Sequence, residues 1–281
     1  MYRLTNYVFL FAVLYLFILE AKMSDHNLIF IAFILSSIVA FAAFLWNWIT
    51  LDAIKSIIIL GTIVLGFSGW YTAFALIFFF ISGSLLSGRN KVYRESMEVT
   101  YLPVYRDYGR RDGYQVWANG FWLAIFCLGW FLTGSAGFLI AAFTTIATAT
   151  ADTWATEIGT HKPGKTVSIL TLIPVQSGED GGISLKGSIA AISGAAFISL
   201  FLLFSEDIIP KHAAFLVFIF GLSGCFIDSV LGAVYRKKNW KFSIPKDFSE
   251  GGNDGFTNSL INWASTGTSG ILAIIITYIF Y

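Results

Sequence analysis

Apolar residues fill nine stretches of this 281-residue chain, at about 5–20, 28–49, 51–66, 69–87, 115–133, 135–158, 185–205, 212–235 and 257–280. Each approaches the roughly 20 residues that an α-helix needs to cross a hydrocarbon core about 30 Å thick. None alternates with period two, so the pattern predicts spanning helices rather than the strands of a closed barrel. The third and fourth stretches form one apolar block, which the paired glycines Gly66 and Gly69 divide. Arg3 precedes the first stretch and Glu20-Ala21-Lys22 follows it, without a small-residue cleavage site. It is therefore expected to remain as a helix rather than to be removed as a signal peptide.

Composition agrees with that pattern. Hydrophobic residues make up 56% and charged residues 12% of the chain, about half the charge of a soluble domain. The 28 Phe, 12 Tyr and 9 Trp exclude disorder. Cys127 and Cys225 both sit in apolar runs and read as packing residues. A net charge of +1 gives no reason to expect a nucleic-acid partner. The fold class expected is an all-α polytopic membrane protein, forming one integral membrane domain over 1–281.

The few charges are sorted by side. With nine spans and a cytoplasmic N-terminus, 16 of the 18 Lys and Arg fall in inner segments, and only Lys22 and Lys211 fall outside. The positive-inside rule predicts this bias. Helices within 1–87 would then lead into a cytoplasmic loop at 88–114, and the helices of 115–281 would carry two glycine-rich loops. The long polar loops 88–114, 159–184 and 236–256 all face one side. That asymmetry favours chemistry at the cytoplasmic face of the membrane, the inner membrane if the cell is prokaryotic.

Ionisable residues inside spanning segments mark function by default. Residues four apart share a helical face. Thr144, Thr148, Asp152 and Thr156 form one stripe, with Thr153 and Glu157 beside it. Asp228 lies between Gly224 and Gly232; Asp254, Asn258, Asn262 and Thr266 form a third stripe, and Arg111, Gln115 and Asn119 a fourth. All are expected at cytoplasmic helix ends, converging on one site whose acids are Asp152, Glu157, Asp228 and Asp254. Such acids repel one another unless a cation joins them. Mg²⁺ suits one or two carboxylates together with waters and substrate phosphates. The alternative is helix-packing polarity.

Glycines punctuate the neighbouring loops. Gly178, Gly181, Gly182 and Gly187 surround Lys186 before a helix start, and Gly251, Gly252 and Gly255 precede the last helix. Glycine-rich backbone entering a helix N-terminus offers amide donors to phosphate, although simple turns would need the same residues. Thr166 to Val175 is β-branched and apolar, and is expected to form a short hairpin or interfacial strand. His161 borders the expected site, and Arg111 could clamp a phosphate at the membrane surface.

The motifs RRDGYQVWANG, ADTWATEIG, GEDGGISLKGS, SGCFIDSVLGA and NDGFTNSLINWAST resemble the transmembrane protein 19 family, which includes plant phytyl-phosphate kinase. The resemblance implies transfer of a nucleotide γ-phosphoryl group to an isoprenoid monophosphate. A more distant similarity to phytol and dolichol kinases and lipid cytidylyltransferases favours CTP over ATP as donor. That chemistry agrees with the convergent stripes, in which Asp152 and Asp228 are the expected Mg²⁺ ligands, with Glu157 and Asp254 auxiliary, and Asp152, Glu157 and Asp228 the expected catalytic acids. Donor and acceptor phosphates would lie on Arg111, Lys186 and the amides of Gly181 and Gly182. Gln115, Asn119, Thr156, Asn258 and Asn262 would complete the binding site, and the partners would be an isoprenoid phosphate, a nucleoside triphosphate and membrane lipids. The chain departs from the family's NGG and GTNGG patterns at Asn119-Gly120-Phe121 and Gly178-Glu179-Asp180-Gly181-Gly182, where the acidic pair would weaken a phosphate cradle or add a metal ligand. A lipid-phosphate cytidylyltransferase and a small-solute or ion transporter are the rival expectations.

Overall fold

The computed structural model describes residues 2–98, 110–162, 164–204, 209–238 and 252–280, and for 91–98, 237–238, 252–256 and 280 the backbone alone. Nine α-helices follow one another among these residues: α1 Tyr2–Leu19, α2 Met23–Leu45, α3 Ala53–Ser68, α4 Trp70–Glu98, α5 Gly113–Thr133, α6 Ala136–Thr160, α7 Leu185–Leu200, α8 Ala213–Lys238 and α9 Gly252–Phe280. Eight are long and apolar enough to span a membrane, and α3 is a shorter apolar helix of 16 residues. The protein is an all-α polytopic membrane protein.

Local signals set the breaks. Gly69 adopts φ +84° and separates α3 from α4, within the four-residue window that the sequence marks. Gly134 ends α5 in the left-handed region, and Ser135 starts α6 immediately, so this hairpin needs only two connecting residues. Asp112 caps α5, accepting from Gln115 N at 2.8 Å while Gln115 Oε1 accepts from Asp112 N at 3.3 Å. Ser184 caps α7 through Gly187 N at 3.1 Å.

Two boundaries differ from the sequence expectation. Helix α4 continues to Glu98 instead of giving way to a loop at 88, because its polar tail holds no proline and the single Gly88 only weakens a helix. Helix α9 begins at Gly252, so Gly252 and Gly255 are helical and do not form a phosphate-cradling loop. Gly251 lies outside the described residues. Within the expected stretch Thr166 to Val175 only a single antiparallel bridge forms, Val167 to Pro174; the three-residue strand β1 Thr166–Ser168 pairs instead with β2 Gly182–Ser184, antiparallel and beyond that stretch.

The bundle is built around α6. From Leu139 to Ala151 every residue of this helix is buried, although α5, α7, α8, α9 and α4 all pack on it. Five neighbours can approach because the sequence there is mostly Ala and Thr. Small side chains permit close helix approach where lipid supplies no hydrophobic drive between helices. The Thr hydroxyls bond within the bundle. Thr144 donates to Ile140 O at 2.9 Å, Thr150 to Ile146 O at 2.7 Å, and Thr148 meets Ser269 Oγ of α9 at 2.8 Å.

Successive helices alternate in direction, so the C-terminal ends of α4, α6 and α8 share one end of the bundle with the N-terminal ends of α5, α7 and α9. The N-terminus joins them there, since the Tyr2 ring lies 4.7 Å from that of Tyr114 at the start of α5. The polar stripes therefore do gather at one end.

Candidate functional site

A polar cavity of about 210 Å³ opens at this end between α6, α7, α8, α9 and the β-hairpin loop. Asp152 and Thr156 reach it from α6, Ser188 from α7, Asp228 and Ser229 from α8, and Asn258 from α9. Asp152 and Asp228 are close enough for their charges to interact. Two neighbours on α9 hold Asp228: Ser265 Oγ donates to Oδ2 at 3.1 Å, and the Asn262 amide nitrogen, turned towards the carboxylate, donates at 2.9 Å. The same nitrogen donates to Asn258 O at 3.2 Å. Helical spacing explains the set, because Asn258 and Asn262 are one turn apart on the face of α9 turned to α8.

Glycines let these elements meet. Gly181 has φ +74°, and a side chain there would also run into the backbone of Ala233 at 2.7 Å. It brings the hairpin loop against α8 beside Gly232. Gly159 and Gly187 perform the same service between the end of α6 and the start of α7, where an added Cβ would lie 3.2 Å from the opposite Cα. The Gly182 amide is engaged, donating to Glu179 O at 2.8 Å. The glycines of this loop thus shape and close the cavity wall. Gly181 and Gly182 line it, and the Gly182 amide is not free to donate to a phosphate.

Several residues expected in one site are divided. Glu157 turns to α4, where Ser87 Oγ donates to Oε1 at 2.6 Å and Asn90 Nδ2 to Oε2 at 2.6 Å. Five helical residues rotate by about 140° beyond one full turn, which carries Glu157 away from the Asp152 face. Lys186 Nζ donates to His161 O at 2.5 Å, capping the end of α6; it does not line the cavity. The Asp254 side chain lies outside the described residues. Thr144 and Thr148 are absorbed into packing, so their stripe supplies only Asp152 and Thr156. Among the described residues, no three His, Cys, Asp or Glu side chains are grouped to hold a metal ion. Of the expected four acids, Asp152 and Asp228 line the cavity and Glu157 does not, and Glu179 and Asp180 of the hairpin loop also line it.

Arg111, Gln115 and Asn119 line a different cavity, of about 140 Å³, between α2, α3, α4, α5 and α6. The two cavities have no residue in common. Arg111 lies before α5 starts, and its direction comes from tertiary structure instead of helical spacing. Its backbone bridges to the α2–α3 connection, accepting from Thr50 N at 3.1 Å and donating to Trp48 O at 2.9 Å. The guanidinium then donates to Phe80 O at 3.3 Å and lies 5.1 Å from the Phe79 ring centre.

Some contributors carried only faint sequence signals. Ser229 follows Asp228 directly, and Ser265 lies a turn beyond Asn262 on α9. Ser87 and Asn90 are three apart at a polar helix end, and their partner Glu157 could not be chosen without the packing of α4 on α6. His161 Nδ1 lies 2.9 Å from Asn90 Oδ1. Because the Asn90 nitrogen is directed to Glu157, His161 carries its proton on Nδ1 to donate. Arg236, at the end of α8, forms an ion pair with Glu179. That pair ties α8 to the hairpin loop beside the cavity and occupies one member of the acidic pair.

Residues 34–270 match the integral membrane protein family DUF92. An uncharacterized membrane protein of Methanocaldococcus jannaschii is 30% identical over 228 residues, spanning 78% of this chain and 81% of its own length. Protein PGR of Arabidopsis thaliana is 28% identical over 233 residues, spanning 73% and 78%. An uncharacterized membrane protein of Synechocystis is 26% identical over 229 residues, spanning 77% and 78%. No solved structure matches the chain. The matched range runs from α2 into α9 and includes every residue that lines the polar cavity.

Proposed function

The chain belongs to the DUF92 family of integral membrane proteins, and on that premise we propose that it is a Mg²⁺-dependent kinase of an isoprenoid monophosphate, using a nucleoside triphosphate at the cytoplasmic membrane face. One observation carries the reading: Asp152 and Asp228 share a polar cavity made from four helices and a glycine-rich loop at one end of the bundle. Two carboxylates beside an open volume fit a hard cation that keeps waters and substrate phosphates as its other ligands. Asp152 and Asp228 would hold Mg²⁺, which neutralises phosphate charge when bound.

The protein's own groups do the rest. Asn262 and Ser265 fix the Asp228 carboxylate. Thr156, Ser188, Ser229 and Asn258 line the cavity with hydrogen-bonding groups for phosphate oxygens. An oxygen of the lipid phosphate attacks the γ-phosphorus, the bond to the β–γ bridging oxygen breaks, and the nucleoside diphosphate leaves. The attacking oxygen is already ionised, so positioning and charge neutralisation suffice and no strong base is needed. Phe226 lines the cavity and is exposed along one stripe of α8 with Ile219 and Val230. The prenyl tail leaves the cavity there, into lipid. The bias of 16 basic residues out of 18 supports a cytoplasmic N-terminus and a site on that side.

A product screen tests the reading. Purified protein is given a prenyl monophosphate, Mg²⁺ and each of the four nucleoside triphosphates in turn. Prenyl diphosphate and nucleoside diphosphate support the kinase. A nucleotide-linked lipid with pyrophosphate identifies a cytidylyltransferase instead, and no product above a chelator control contradicts both.

A further inference from the structure

We infer that the apolar cavity between α2, α3, α4, α5 and α6 is a second binding site, for a single-chain amphiphile whose anionic headgroup rests on Arg111. This site is separate from the polar cavity and does not depend on the proposed kinase activity. Its walls are almost wholly apolar, including Val39, Leu60, Val64, Phe74, Ile77 and Leu123. Along α4 it runs from Trp70 to Phe80, a length of about 15 Å at the helical rise. Arg111 joins the wall at the Phe80 end, with Gln115 and Asn119 beside it.

The charge on Arg111 is what calls for an anion. A guanidinium has five N–H donors, whereas this side chain makes one hydrogen bond among the described residues, to Phe80 O. It forms no ion pair among them. Glu157 acts on it only at longer range and is already held by Ser87 and Asn90. Burial pushes Arg111 down to about 10, so it stays charged at neutral pH. Faces of Phe79 and Phe80 lie 5.1 and 5.4 Å from the guanidinium carbon, and they compensate a cation only in part. Arg111 is half-buried against apolar walls, and a cation there that leaves most of its donors unused is costly unless an anion joins it. Gln115 Nε2, unpartnered among the described residues, adds a neutral donor in the same cavity. A phosphate or carboxylate head satisfies these groups, while the apolar walls beyond accept one chain.

Photocrosslinking tests this with the full-length protein in a neutral detergent and a dodecyl phosphate carrying a diazirine on its chain. Adducts are expected on α3 and α4 between Ile57 and Phe80, competed by dodecyl phosphate or dodecanoate and not by dodecanol. The two anionic competitors report which headgroup is preferred. Arg111→Gln should lower labelling at least tenfold and Arg111→Lys should restore part of it. Equal competition by dodecanol, adducts confined to α7–α9 or to outer lipid-facing residues, or undiminished labelling of folded Arg111→Gln would overturn the inference. If Arg111→Gln does not fold, competition and adduct mapping on the unmutated protein decide it alone.

Discussion

Asp228 is held by Asn262 and Ser265, and removing either contact should leave the carboxylate present but mispositioned. Asn262→Ala is expected to cost about 1.5–3 kcal/mol of transition-state stabilisation, the usual worth of a hydrogen bond to a charged group. That loss appears as a roughly 10- to 100-fold fall in phosphorylation rate while the thermal midpoint changes little. Gly181→Ala acts on the cavity wall, since φ +74° and the Ala233 backbone both oppose a side chain. It should destabilise the hairpin loop by about 1–3 kcal/mol, read as faster proteolysis between Gly164 and Ser184. His161 is held below the usual imidazole value by burial first, then by Arg89, Lys186 and Lys162. A lowered native value means that its stability contribution is complete above its ordinary value of 6.5 and is lost as pH falls through the native value. Acidification towards pH about 5 should therefore lower the melting point of the protein more than that of His161→Gln; parallel curves would contradict the assignment. Asp152 and Asp228 were legible because an acid inside an apolar run needs an explanation. Glu157 was not, because the neighbour that its separate stripe faces is set by the packing of α4 on α6.

At the scale of elements, α6 tolerates five neighbours only while its contacts stay small. Gly194 of α7 leaves just 3.2 Å between an added Cβ and the Ala151 backbone, and Gly221 of α8 is pressed against Ala147. Gly194→Val should destabilise the bundle by about 1–3 kcal/mol or more through overpacking, whereas Ile192→Val on the exposed side of α7 should be nearly neutral. Thermal unfolding in detergent separates the two; equal effects would place the packing seam elsewhere. The helices themselves were legible, because each must hide its backbone from lipid by its own hydrogen bonds. The turn at Gly69 was legible through its glycines. The ends of α4 and α9 were not, since polar or glycine-bearing sequence at a membrane boundary can continue a helix when neighbouring elements support it. Arg111 shows the same limit: it shares spacing with Gln115 and Asn119, yet precedes the Asp112 cap, so a bridge to Ile49 sets its course.

The whole molecule places the polar cavity, Arg111 and the N-terminus at one end of the bundle, leaving short connections such as Gly134-Ser135 at the other, towards which the apolar cavity extends as far as Trp70. The proposed cytoplasmic orientation rests on the distribution of the basic residues. Ser177→Cys in the hairpin loop should react with an impermeant maleimide only from the cytoplasmic side, and Thr133→Cys only from the opposite side. Native Cys127 and Cys225 are buried and should give no background. The reversed pattern would invert the molecule and remove the site from its nucleotide supply. The central claim is that Asp152 and Asp228 together support Mg²⁺-dependent phosphoryl transfer to an isoprenoid phosphate. Its most direct test compares prenyl diphosphate formation by the protein and by folded Asp152→Asn/Asp228→Asn, with saturating nucleotide and Mg²⁺. Diphosphate made by the protein and abolished in the double variant is the predicted result; undiminished formation by the double variant would contradict the account.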